Sequence, residues 1–152
     1  MIDDTSLKIL KILQEKARIP NVEVARKMEM APSAVLERIR KLERNGIIDG
    51  YEVRLNPDKV NRRLVAFIQV YVQEAPSTHG LGDIFAGLKE VQEVHYVAGH
   101  DCYLLKLRIA DTDELGRILR EKIMPVPEVT STRTLPVLQT YKETSKLPLD
   151  SF

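Results

Sequence analysis

The sequence predicts an α+β protein in two parts: a winged helix-turn-helix over residues 1–50, then a ferredoxin-like β-α-β-β-α-β sandwich over residues 62–152, joined by a hinge strand over 51–61. Three observations carry this. Apolar residues before Gly46 recur at helical spacing in three short runs. Beyond Asn61 the pattern changes to alternating strands interrupted by two helical runs. The charge is also divided between the parts. Residues 16–44 hold eight basic and four acidic groups, a local net of +4, whereas residues 61–152 hold 11 basic and 12 acidic groups.

The first helix is expected over Asp4–Lys16, where Leu7, Ile9, Leu10, Ile12 and Leu13 are apolar. Asp3, Asp4, Thr5 and Ser6 supply acidic and capping groups at its positive end. A second helix is expected from Asn21, with Asn21 as its cap and Val22, Val24, Ala25 and Met28 as its apolar side. The turn Glu29-Met30-Ala31 leads to Pro32, whose missing N–H is harmless at a first helical position. The third helix runs to about Asn45-Gly46, a good C-terminal stop. Its Val35, Leu36, Ile39 and Leu42 share one face. Ser33, Ala34, Glu37, Lys41 and Arg44 occupy the other, flanked by Arg38 and Arg40. Ile47-Ile48 and Tyr51-Val53-Leu55 are expected as a wing or exit strand.

Asn56-Pro57-Asp58 is a turn cluster marking the boundary. Strands are expected at Leu64–Gln73, Val91–Ala98, Tyr103–Ile109 and Val129–Gln139. One helix opens near Pro76-Ser77-Thr78 and turns Leu81, Ile84, Phe85 and Leu88 inward. The other opens on the capping box Asp111-Thr112-Asp113-Glu114 and carries Leu115, Ile118, Leu119 and Ile123. Right-handed crossovers place both helices on one sheet face. Strands Leu64–Gln73 and Tyr103–Ile109 are apolar on both sides, so the open face calls for a second copy.

Composition narrows the function. With 43% hydrophobic and 30% charged residues the chain is an ordinary globular one, with no apolar run long enough to span a membrane and no secretory signal. Its single cysteine, Cys102, forms no internal disulfide, which fits a reducing cytoplasm. The basic helix-turn-helix suits the major groove of double-stranded DNA, because phosphate binding requires a local basic surface rather than a basic protein. Ser33 and Arg38 are expected as base readers, beside Ala34, Glu37 and Lys41, with Arg40 and Arg44 on phosphates. No nucleophile with a base, phosphate loop or convincing carboxylate pair argues for an enzyme. His95, His100 and Cys102 lack a metal-ligand spacing. Gly99-His100-Asp101 reads either as a tight hairpin turn or as a small-molecule site. In the second reading Gly99 admits a ligand to the backbone and Asp101 accepts from an ammonium group, with the Thr132 and Thr134 hydroxyls available to a carboxylate.

These segments together resemble the Lrp/AsnC, or feast/famine, family of transcriptional regulators, from Asp3 to about Leu149. The resemblance is carried by Leu7-Lys8-Ile9-Leu10, by Val35–Glu43 with Gly46-Ile47-Ile48, and by Asn56-Pro57. It continues in Val97–Lys106, Ser131–Thr134, Lys142-Glu143-Thr144 and Leu147-Pro148-Leu149. It implies an amino-acid effector and no other cofactor, bound near Gly99, His100, Asp101, Cys102, Tyr103, Thr132 and Thr134. It also implies a homodimer assembling to tetramers or octamers. Two positions depart from the family pattern: Glu29 replaces the usual turn glycine, and Ala31 the usual serine before the recognition helix. The rival expectation is a DNA reader whose second domain only dimerises.

Overall fold

The computed structural model describes residues 2–73, 80–99 and 102–150. The chain divides into two compact units, residues 1–54 with 142–152, and residues 55–141. The first unit contains α1 (Asp4–Glu15), α2 (Asn21–Met28) and α3 (Pro32–Arg44). The second contains β1 (Leu64–Val72), α4 (Leu81–Ala86), β2 (Val91–Val97), β3 (Cys102–Ile109), α5 (Thr112–Ile118) and β4 (Val129–Pro136).

In the first unit, Ile9, Ile19, Val24, Ala25, Val35 and Ile39 form the core, with Ile12, Leu13, Met28, Met30 and Ile48 packed around it. Asp3 caps α1, its Oδ1 accepting from the Ser6 N–H at 2.7 Å. The cap expected of Asn21 is not made. Asn21 is already helical, and the Pro20 carbonyl accepts from Glu23 and Val24 instead. Beyond α3, the Gly46 N–H reaches the Glu43 carbonyl and the Ile47 N–H the Leu42 carbonyl, with Gly46 at φ +67. This is a Schellman stop. The same motif closes α2, where Glu29 donates to Arg26 and Met30 to Ala25, but Glu29 holds the left-handed position at φ 53.

The wing expectation needs correction at the level of strands. The N–H groups of Ile47 and Ile48 are spent on the Leu42 carbonyl, and residues 51–55 pair with no strand among the described residues. Tyr51, Val53 and Leu55 are exposed. The expected hinge over 51–61 contains a real turn, in which Asn56 Oδ1 accepts from the Asp58 N–H at 3.0 Å. Residues 142–150, expected with the second domain, instead group with the first unit. There the Gln14 amide grips Leu147 twice, donating to its carbonyl at 2.9 Å and accepting from its N–H at 2.8 Å. Lys146 pairs with Glu15 at 2.9 Å.

The second unit has the expected β-α-β-β-α-β order and a four-stranded antiparallel sheet, β2-β3-β1-β4. Alternation sends Ala66, Ile68 and Val70 of β1 and Tyr103, Leu105, Leu107 and Ile109 of β3 to the face covered by both helices. Leu81 and Phe85 of α4 and Leu115 and Ile118 of α5 meet them there. Ile84 departs from expectation and is exposed, because α4 ends at Ala86 and buries only Leu81 and Phe85. The expected start of that helix at Pro76-Ser77-Thr78 lies outside the described residues. The capping box forms: Asp111 Oδ1 accepts from the Glu114 N–H at 2.9 Å and Glu114 Oε2 from the Ala110 N–H at 2.7 Å. After Ile118 the helix widens into a final i→i+5 turn, Met124 N–H to Leu119 carbonyl. The last strand stops at Pro136, short of the expected Gln139.

Candidate nucleic-acid interface and effector strands

The outer face of α3 is built by its inner one. Val35, Ile39 and Leu42 are buried, which fixes the helix's rotation and turns Ser33, Glu37, Arg40, Lys41 and Arg44 to solvent. Ala34 is half-buried beside them. Ala31 precedes the helix without a side-chain cap, as the sequence implied. Glu37 and Arg44 pair across the exposed face at 3.0 Å. Such a pair is weak and yields to a stronger anion. The Tyr51 hydroxyl donates to the Glu43 carboxylate at 2.9 Å, and partial desolvation of this largely exposed ring, together with that carboxylate, pushes the phenol up to about 12.

Arg38 differs from its neighbours. It lies on the flank of the buried face, its Nη1 donating to Asp3 Oδ2 at 2.7 Å and to the Ser6 hydroxyl at 3.3 Å. The hydrogen bond from Arg38, helped by the Ser6 N–H, holds the Asp3 carboxyl well below the usual carboxylate range. Arg38, expected as a base reader, is ion-paired with Asp3 at a partly exposed position in this chain. Helical spacing placed Arg38 at the edge of the outer face, but its partner lies 35 residues away and no local pattern reveals it.

The effector candidates fall on two strands and a hairpin. Gly99 stands at φ +94 with open space where a side chain would begin, so backbone conformation accounts for the glycine. His100 and Asp101 lie outside the described residues. Cys102 is fully buried. The Tyr103 ring is shut into the helix-side core, 5.6 Å from Phe85 and 5.7 Å from Tyr96 between ring centres. Their side chains are thus turned into the core of this chain, which leaves the backbone role expected near Cys102 untouched. Thr132 and Thr134 are half-buried on β4, opposite Val70 and Ile68 of β1. The Thr132 hydroxyl lies 3.9 Å from the sulfur of Met124, an exposed side chain the sequence reading passed over. Its only sequence signal was its place at the helix end before Pro125.

The register shows what is brought together. Cys102 opposes Tyr71, and Tyr71 opposes Ser131, so the β2–β3 hairpin and the start of β4 share one end of the sheet. β1 lies between them, a separation of about 10 Å at ordinary strand spacing. Thr132 thus lies across β1 from the hairpin, whose His100 and Asp101 are outside the described residues. A groove of about 340 Å³ lies elsewhere, in the first unit, lined by Lys11, Ile12, Glu15, Lys16, Ile19, Glu23 and Lys27. No helix among the described residues is long and apolar enough to cross a membrane.

Two family models match the chain: winged helix-turn-helix DNA-binding over residues 2–49, and Lrp/AsnC ligand binding domain over residues 65–147. The leucine-responsive regulatory protein of Escherichia coli (strain K12) is 35% identical, across 96% of this chain and 90% of that protein. A transcriptional regulator from Neisseria meningitidis, solved as an L-Met complex, superposes with a TM-score of 0.92 at 31% identity, covering 98% of this chain and 97% of that one. The AsnC structure from E. coli gives a TM-score of 0.89 at 28% identity, covering 97% and 99%.

Proposed function

The chain belongs to the Lrp/AsnC family of transcriptional regulators, and from that premise we propose how its residues divide the work. It is a helix-turn-helix DNA-binding regulator carrying an amino-acid-binding domain, and it is not an enzyme. Ser33, Ala34, Glu37 and Lys41 read base edges in the major groove, and Arg40 and Arg44 hold phosphates. The observation that carries this reading is the solvent-facing side of α3, fixed opposite buried Val35, Ile39 and Leu42. Lys41→Ala should weaken preferred-site binding and relax preference at one position, a change of about 1–3 kcal/mol. Arg40→Ala should weaken all duplexes alike and lower the salt slope by about 1. Unchanged binding of both variants at moderate salt would remove α3 as the reader.

The effector is an amino acid. Asp101 takes its ammonium group, backbone groups from Gly99 to Cys102 complete the frame, and Thr132 and Thr134 meet the remaining polar atoms. The β1 strand between hairpin and β4 supports a pocket completed by a second copy. The open sheet face, with Phe67, Leu104 and exposed Leu135, suits a homodimer, which then builds tetramers or octamers in the cytoplasm. Melting the protein with each of the twenty amino acids tests the effector: at 100 times its dissociation constant a ligand adds about 2.7 kcal/mol. Asp101→Ala should abolish that response and leave basal DNA binding near the parent's. Indifference to every amino acid, in melting, assembly and DNA binding, would leave a plain dimerisation module.

A further inference from the structure

We propose that Asp3 is a positioning residue for DNA recognition: through Arg38 its carboxylate trims the fine angle at which α3, already oriented by its buried face, presents its outer face. This rests on the reading of α3 as the base-reading helix.

One carboxylate joins two elements. Asp3 Oδ1 accepts from the Ser6 N–H at 2.7 Å, capping α1, and Oδ2 accepts from Arg38 Nη1 at 2.7 Å, gripping α3. The same Nη1 reaches the Ser6 hydroxyl at 3.3 Å. Beneath this clamp the unit's core is aliphatic: Ile9 of α1, Val24 of α2, and Val35 and Ile39 of α3. Burial of Val35 and Ile39 sets which face of α3 turns inward, but aliphatic contact is non-directional and leaves the fine angle of that rotation loose. A charge-assisted hydrogen bond is directional and does fix it.

The leverage is geometric. A helix with its side chains is about 10–12 Å across, so a rotation of about 10° moves a side-chain tip by roughly 1 Å. Base-edge hydrogen bonds tolerate only a few tenths of an ångström. Attraction between Arg40 or Arg44 and phosphates falls off far more gently with distance. Loosening the clamp therefore removes sequence preference while general DNA attraction persists.

Positioning is favoured over a competing role, in which Asp3 merely masks an Arg38 that later contacts DNA. Ser6 is a buried polar residue at 8% exposure. Moving Arg38 to a phosphate would take away that donor and leave the hydroxyl with Asp3 alone. Arg38 also sits on the flank of the buried face, next to Ile39, rather than at the centre of the exposed one.

The two roles predict opposite results. The probes are a duplex selected by the parent protein from a random pool and a scrambled duplex of equal composition. The full-length variants are Asp3→Asn, Arg38→Gln and their double, measured by anisotropy across a salt series at a temperature where circular dichroism shows all of them folded. Asp3→Asn keeps an oxygen for the Ser6 cap and drops the ion pair. Each single variant should lose about 10-fold in affinity for the selected duplex, stay within about twofold on the scrambled one, and keep the parent's salt slope. The double should be no worse than the weaker single, because both remove one clamp. Asp3→Glu should recover most of the loss. The proposal is overturned if Asp3→Asn binds as tightly as the parent or tighter while Arg38→Gln weakens on both duplexes with a slope lowered by about 1. Fully additive losses in the double would overturn it too. Lys41→Ala serves as the control for the reading itself: if it kept the parent's preference while the clamp variants lost it, α3's outer face would not be the reader.

Discussion

The two units solve the same problem, burying an apolar face, at different ranges along the chain. In the helical unit each core residue sits on a segment whose own periodicity already marks it: Ile9, Val24, Val35 and Ile39 are buried where helical spacing puts them. Its stops are local too, made by hydrogen bonds between residues three to five apart around Glu29 and Gly46. In the sheet unit the core is closed by pairing between distant strands. Leu64 opposes Ile109, and Ile68 opposes Leu105. The difference teaches where function is placed. A surface on one helix inherits its geometry from local sequence, whereas a site between strands depends on strand order and register.

The comparison implies that the largest single effects lie in the sheet unit's core. Phe85 is fully buried and packs edge-on against Tyr103. Phe85→Ala should cost about 3–5 kcal/mol in urea unfolding monitored by tyrosine signal. A loss under 1 kcal/mol would mean that the helix layer does not anchor the sheet.

Lys122 offers a sharper probe of long-range dependence. It donates at 2.8 Å to Glu90, whose carboxylate is nearly fully buried, with Oε2 lacking a partner among the described residues. Burial pushes the Glu90 carboxyl up, and the hydrogen bond and charge of Lys122 outweigh it, so the group sits below its ordinary value. Lys122→Ala should destabilise by about 2 kcal/mol at neutral pH, leaving a buried charge unpaired. In the parent, a lowered carboxyl contributes stability above its unfolded value, and that contribution fades as pH falls through the folded one. In the variant burial is opposed only by the backbone hydrogen bond of Glu90 and the charge of Lys89, protonation relieves the charge that Lys122 no longer pairs, and the gap to the parent should narrow towards acid pH. A gap constant with pH would remove Glu90 as the cause.

Smaller effects test the local chemistry of the helical unit. Glu29 occupies a left-handed position with an ordinary side chain. Glu29→Gly should stabilise by about 1 kcal/mol in thermal unfolding, the relief of Cβ crowding exceeding glycine's added entropy when unfolded. A loss would show that the Glu29 side chain makes a contribution of its own. Smallest of all, Ala31→Ser should add about 0.5 kcal/mol by supplying the missing cap to α3. A drop in melting temperature would indicate that the turn cannot accommodate the cap.

Much of the fold was legible. The helix faces followed from spacing, the capping box from Asp111 and Glu114, and the placement of both helices on one sheet face from the β-α-β-β-α-β pattern joined to crossover handedness. Legibility failed wherever a residue's partner was remote or its backbone already committed. Ile47 and Ile48 looked like a strand, but the Schellman stop used their N–H groups. Ile84 fitted a longer helix than α4. The ion pair of Arg38 was hidden because spacing cannot show Asp3 beside it. Tyr103 was expected near the effector only through the family resemblance, and the alternation it shares with Leu105 and Leu107 turns its ring inward.

The sequence by itself determined the two-part order, the inner and outer faces of α3, the basic character of that outer face, and which strand residues share a side. These follow from periods of 3.6 and 2, which are properties of the chain before it folds. Tertiary structure alone decided that Arg38 is clamped to Asp3, that Lys122 meets Glu90, and that residues 142–150 return to the first unit through Gln14. It also decided that β1 separates the hairpin from Thr132 and Thr134. Each is a contact between residues far apart in the chain, and such contacts are selected by packing and long-range pairing, on which local periodicity carries no information.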